Sequence, residues 1–147
     1  MTLTQAIEII EQHANTPEKG LPQDVFYLMS RLTPLVNVDL LIKDSHNRVL
    51  LAWRQDQFAG AGWHIPGGIV RYKETLEQRI QQVALTEIGH EVKFDAKPIA
   101  INEIHRPHAT RGHFISFLYS CSIDNSFNPN NTNLTPLDPG YLAWHEQ

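Results

Sequence analysis

Apolar positions at three- and four-residue spacing open the chain. Ile7, Ile10 and Ala14 fall on one helical face, and Thr4 is placed to cap that helix. Thr16-Pro17 and Lys19-Gly20 then interrupt the pattern. Residues 1–20 therefore read as a helical appendage and residues 21–147 as one domain. A second short helix is predicted from Pro22 to Leu32, with Pro22 in its first turn and Val25, Phe26, Met29 and Leu32 at helical spacing.

After Thr33-Pro34 the pattern changes to strands. Leu35 to Ile42 is rich in β-branched and apolar residues, and Asp44-Ser45-His46-Asn47 turns it into a returning strand, Val49 to Trp53. Gln55 to Gly62 reads as a polar loop, Trp63 to Ile65 as a short strand, and Pro66-Gly67-Gly68 as punctuation. From Glu74 to Ile88 the 3.6 period returns through Leu76, Ile80, Val83, Ala84 and Ile88, with Thr75 or Lys73 near the start and Gly89 placed to end it. Two more strands are predicted at Pro98–His105 and His113–Ser122, then an Asn/Pro-rich loop from Asn125 to Pro139, then a last strand at Tyr141–Trp144. Strands gathered around one central helix predict an α+β sandwich rather than a doubly wound sheet.

Composition narrows the function classes. Hydrophobic residues make up 41% and charged residues 19% of 147, as in an ordinary globular domain. No apolar run reaches membrane-spanning length, and the acid-bearing N-terminus lacks the basic start of a signal peptide. The single Cys121 forms no internal disulfide, which suits a reducing, cytoplasmic setting. A net charge of −4 argues against nucleic acid as partner. An anionic small molecule would need clustered arginines or a metal ion. The apolar face of the first helix leaves a homodimer open.

The chemistry concentrates between Gly67 and His90. Two glycines let a backbone carbonyl face a cleft, and Glu87 lies thirteen residues beyond Glu74 on the last turn of the helix. A carboxylate beside a backbone oxygen is the hard-oxygen environment magnesium prefers. Gly68, Glu74, Glu87 and Gly89 fall at the spacing of the Nudix box, G-x5-E-x7-R-E-U-x-E-E-x-G-U with U aliphatic, and the chain resembles the Nudix hydrolase family. It departs from the box where Gln82 replaces the arginine, Val83 and Thr86 replace two glutamates, and His90 replaces the last aliphatic residue. The resemblance implies a Nudix-type α/β/α sandwich with a mixed sheet and a central box helix.

The GDP-mannose mannosyl hydrolase branch of that family has a similar loss, keeping the final glutamate and using one magnesium. The likeness extends from Leu21 to Ile123, through Thr33-Pro34-Leu35-Val36, Asp39, Arg54, Gly62-Trp63 and Gly112-His113-Phe114. It implies a magnesium-dependent hydrolase of a nucleoside-diphosphate sugar, with manganese as a substitute metal. Glu87 and the Gly67 carbonyl would bind the metal, Arg54 would stabilise the departing diphosphate, and Asp39 and His105 would contact substrate. The branch's arginine after the double glycine is Ile69 here, and its Gln-His pair in the last loop has no counterpart in Leu134–Tyr141. Two alternatives follow: hydrolysis of another nucleoside-diphosphate derivative, or a nucleotide-binding domain without catalysis.

Other readings come from the residues themselves. Asp39 within an apolar strand needs a partner, either a substrate hydroxyl or an arginine. His105, His108 and His113 form a dense cluster with Arg106 and Arg111 that matches no compact zinc motif and reads as a polar hairpin loop. Because the last loop contains no histidine, His105 is the expected base, with Asp138 or the metal as the alternative. Glu74 is expected to tie down its loop through Gln82 or Arg79, and Trp63 and Trp144 to fill the core.

Overall fold

In the computed structural model, which describes residues 1–147, the first helix (α1, Leu3–His13) starts at Thr2 rather than Thr4. The reason is Gln5, three residues on. Its side chain accepts from the Thr2 N–H at 2.8 Å while the Thr2 hydroxyl accepts from the Gln5 N–H at 3.1 Å. Thr4 has Ile7 at that position and cannot form the reciprocal pair. No residue of α1 is buried. A single 3₁₀ turn, Pro17–Lys19, leads into α2, Gln23–Leu32, with Pro22 at the cap position.

The strand at Leu35–Lys43 (β1) organises the sheet. It runs parallel to β7, His113–Ser122, in register from Leu35↔Phe114 to Lys43↔Ser122. On its other side it pairs antiparallel with Gly67–Ile69 (β4) and, at Lys43↔Val49, with Val49–Asp56 (β2). Gly60–His64 (β3) and Leu142–His145 (β8) flank β2, while Lys93–Phe94 (β5) and Ala100–His105 (β6) pair with β7. The result is an α+β fold with a mixed eight-stranded sheet and three helices.

In the sheet, the strand β5 is not among those expected from the sequence, and two further segments differ from their expected form. The polar stretch after Gln55 is mostly hairpin, because Asp56 accepts the Phe58 and Ala59 N–H groups at 2.8 and 2.7 Å and folds β3 back on β2. Gly67 and Gly68 form a strand rather than a break, since neither site has room for a side chain. A Cβ at Gly67 would overlap the Asp39 carboxylate and the Val38 carbonyl, and one at Gly68 would stand 2.9 Å from Val83 Cγ2.

Alternation along β1 separates core from site. Val38, Leu40 and Ile42 are fully buried with Leu50, Ile80, Val83, Ile88, Tyr119, Cys121 and Leu142. Asn37 and Asp39 point to the opposite face. The box helix is shorter than the pattern suggests. Its regular part (α3, Leu76–Val83) is capped by Thr75 through a second reciprocal box with Gln78. Ala84–Ile88 then widens into a π-turn, closed by the Gly89 N–H donating to Ala84 O at 2.9 Å with Gly89 at φ 75°. No helix is long and apolar enough to cross a membrane.

Candidate functional site

One cleft of about 930 Å³ gathers Asp39, Arg54, Gly67 and Glu87. A smaller hollow of about 500 Å³ beside Glu18, Tyr72 and Lys73 holds neither Glu87 nor any histidine. The glycine strand forms the cleft floor. Leu40 donates to Pro66 O and Val70 donates to Val36 O, so residues 66, 68 and 70 make the hydrogen bonds to β1. In an antiparallel pair the intervening residue faces the other way, so the Gly67 N–H and C=O both point away from β1. The Gly67 N–H therefore faces the Glu87 carboxylate, whose negative charge it favours, and the Gly67 carbonyl opens on the same side.

The π-turn brings Thr86 and Glu87 to the cleft wall. Glu87 is exposed at the mouth of the cleft, with the β4 backbone beside it. Desolvation raises its pKa to about 7, against the Gly67 N–H and the Arg54 charge, and the Asp39 charge adds to the rise. The ion pairs of the chain are Arg48–Asp44, Arg54–Asp56 and Arg79–Glu74, so Glu87 has no cationic partner. Glu74 is committed elsewhere. Its two oxygens accept from Arg79 Nε and Nη2 at 2.8 and 2.9 Å, and it also accepts from the Arg71 N–H at 3.1 Å. It ties the box loop to α3.

A carboxylate without a counter-ion beside a backbone carbonyl is a donor set that fits a hard cation. No group of three or more histidine, cysteine, aspartate or glutamate side chains is placed to hold a metal. The residues present fit a divalent cation held by one carboxylate and one backbone oxygen.

Within the protein, Asp39 meets a serine rather than an arginine. Ser116 on β7 donates to its Oδ2 at 2.5 Å, and Asn37 Nδ2 donates to the same Ser116 hydroxyl at 3.0 Å. The Ser116 register position beside Asn37 is a long-range contact, and nothing local in the sequence announces it. Arg54 lies across the cleft on β2, paired with Asp56 at 2.5 Å. Burial alone would raise the Asp56 pKa, but the Ala59 and Phe58 amides and the Arg54 guanidinium hold it down at about 2.

His105 is not brought to the cleft. It pairs with His113, and the two rings stack at 4.3 Å, while its neighbours Ile104 and Arg106 line the cleft. His108 stands edge-on to Phe58 outside the lining. Asp138, the other expected base, is held in its turn by the Thr135 N–H at 2.7 Å and hydroxyl at 3.0 Å.

The histidine that does line the cleft is His64. It stands opposite Ala52 on β3, on the ribbon face that carries Arg54, and a Cβ at Gly62 would lie 3.8 Å from its Nε2. Desolvation lowers its pKa, and the Arg54 and Arg106 charges add to the effect, so the ring is neutral at pH 7. The sequence signal was the Trp63-His64 pair preceding the glycines, which reads as strand filler unless the pairing with β2 is known. Trp63 also lines the cleft rather than the core, edge-on to Trp53 at 5.2 Å and to His145 at 4.6 Å. Trp144 does pack against the core.

The chain is 26% identical over 139 residues to the low-salt glycan biosynthesis protein Agl8 of Haloferax volcanii, covering 90% of this chain and 88% of that protein. Its fold is similar to a NUDIX hydrolase from Nitrosomonas europaea, with a TM-score of 0.60 and 19% identity over 77% of this chain and 72% of that one. It is also similar to the NUDIX domain of Shewanella oneidensis NrtR complexed with ADP ribose, with a TM-score of 0.55 and 16% identity over 99% of this chain and 83% of that one. The NUDIX domain model matches residues 33–142, from the end of α2 into β8 and including every cleft residue described, and the chain belongs to the Nudix family.

Proposed function

We propose that the protein is a one-metal hydrolase of nucleoside-diphosphate derivatives, with a nucleoside-diphosphate sugar as its substrate class, as in the GDP-mannose mannosyl hydrolase branch. The observation that carries this reading is Glu87. It stands beside the Gly67 backbone in the cleft it shares with Arg54, in a chain that keeps Glu74 but has Val83 and Thr86 at the other two glutamate positions of the box. The similarity to a glycan biosynthesis protein supports a sugar-bearing substrate.

Glu87 and the Gly67 carbonyl would hold magnesium, or manganese in its place. When bound, that ion neutralises charge on the diphosphate oxygens. Arg54, held in orientation by Asp56, meets the negative charge that grows on the departing diphosphate. His64, neutral at pH 7, takes the proton from the attacking water as the new oxygen bond forms and the bond to the departing phosphate oxygen breaks. Asp39, fixed by Ser116, keeps one carboxylate oxygen for a substrate hydroxyl. His105 has no part in this reading.

A second reading, a nucleotide-binding domain without turnover, is favoured by Gln82, Val83 and Thr86 at the missing box positions. Incubation with magnesium and a panel of nucleotide sugars in oxygen-18 water separates the two. Label in the released sugar means attack at carbon, and label in phosphate means attack at phosphorus. Saturable binding without turnover supports the second reading, and neither binding nor turnover overturns both.

A further inference from the structure

We propose that Arg106 and Arg111 form an anion subsite in the same cleft, one that recognises a carboxylate or phosphate carried by the substrate in addition to its diphosphate. This deepens the nucleotide-sugar reading and rests on it for the identity of the rest of the ligand.

Both residues belong to the tight connection between β6 and β7, and both line the cleft. The turn is rigid. Arg106 N–H donates to Gly112 O at 2.8 Å, and a Cβ at Gly112 would overlap the His108 carbonyl. Arg111 adopts a left-handed backbone, φ 56°, and its N–H donates to the buried Ser30 hydroxyl of α2 at 2.9 Å. Its guanidinium lies 5.0 Å from the Phe58 ring centre and 5.9 Å from that of Phe26. An arginine held by a backbone bond and two aromatic rings is oriented before any ligand arrives.

The orientation is not explained by a protein partner. Arg54 has Asp56, whereas neither Arg106 nor Arg111 is in an ion pair. Arg111 Nε is fully buried with no acceptor, and so is the Trp53 indole N–H of the same cleft. Buried donors of this kind ordinarily meet an acceptor. Desolvation destabilises the Arg111 charge, and the nearby Arg54 charge adds to that cost. Asp56 offsets part of that cost but is itself paired with Arg54, so Arg106 and Arg111, in no ion pair of their own, favour an arriving anion, and the planar fork of a guanidinium matches carboxylate and phosphate.

Calorimetry with three magnesium-loaded ligands of each of the uridine, guanosine and adenosine series tests the subsite: the diphosphoglucose, the diphosphoglucuronate and the triphosphate. The parent protein should bind at least one charged ligand more tightly than the neutral-sugar ligand. Preference for the glucuronate identifies a carboxylate, and preference for the triphosphate identifies a phosphate. Arg111→Gln and, separately, Arg106→Gln should weaken the preferred ligand by about 10- to 100-fold while leaving the diphosphoglucose within about twofold. Arg111→Lys, with an unchanged melting temperature, should recover only part of the loss, because the fork is gone.

Equal weakening of neutral and charged ligands would assign both arginines to the diphosphate and overturn the subsite. Absence of any charged-ligand preference in the parent, or of any effect in both glutamine variants, overturns it too. Repeating the contrast in Glu87→Gln separates the two claims. A charged-ligand preference that survives there stands even if the one-metal hydrolase reading fails.

Discussion

Glu87 carries opposite burdens in the free and the loaded protein. Without metal its carboxyl is desolvated, and its folded pKa, about 7, lies above the ordinary 4.5. Between those values the folded state binds more protons than the unfolded one, so stability falls as pH rises. Chelator-treated protein should therefore melt at progressively lower temperature from about pH 4.5 to 7. Glu87→Gln should flatten that dependence and abolish metal-dependent hydrolysis while leaving the fold intact. A parent-like slope in the variant would mean that another group titrates. Arg54 makes a kinetic prediction. If its guanidinium meets the leaving diphosphate, Arg54→Ala lowers kcat by about 10² to 10³, and an effect confined to KM would show uniform binding instead. For His64, activity should fall on the acid side as the ring protonates below its ordinary 6.5. His64→Gln should remove that limb, and His105→Ala should leave it in place.

At the scale of elements, the close approach of β4 to α3 decides where Glu87 stands. Gly68 meets Val83 Cγ2 and Arg79 Cδ at the distance of a missing side chain. Gly68→Ala should cost about 1–3 kcal/mol by forcing the helix outward, measured by denaturant unfolding. A neutral result would show that the helix is free to move. Helical elements were legible in the sequence because their apolar spacing is local, and Thr75 and Gly89 marked the ends of the box segment, although the cap of α1 lies at Thr2 rather than Thr4. The glycine strand was not, since only pairing with β1 shows that Gly67 and Gly68 lie in a sheet. The π-turn was equally hidden, because a regular helix and a turn one residue wider present the same periodicity over five residues. Of the site, Asp39, Arg54, Gly67 and Glu87 could be named from spacing and resemblance, and the cleft does bring them together. His64 and Arg111 could not. Their placement depends on the registers of β3 against β2 and of the β6–β7 turn against α2, contacts that join residues far apart in the chain.

Across the whole molecule, a chain of net charge −4 concentrates Arg54, Arg106 and Arg111 around one opening. Cys121 stays out of this chemistry, since it is buried in the core and burial pushes its thiol up to about 12. The fold thus separates an apolar side, built on Val38, Leu40 and Ile42 of β1 with Tyr119 and Cys121 of β7, from a polar side built on Asn37, Asp39 and Ser116 of the same two strands. On the proposed reading, the polar side holds one hard cation on Glu87 and phosphate oxygens. Manganese binding followed by electron paramagnetic resonance, with a saturating nucleoside diphosphate, tests it most directly. One ion per chain in the parent and none in Glu87→Gln is the predicted result. Undiminished binding in Glu87→Gln, or two or more equally tight ions in the parent, would contradict it.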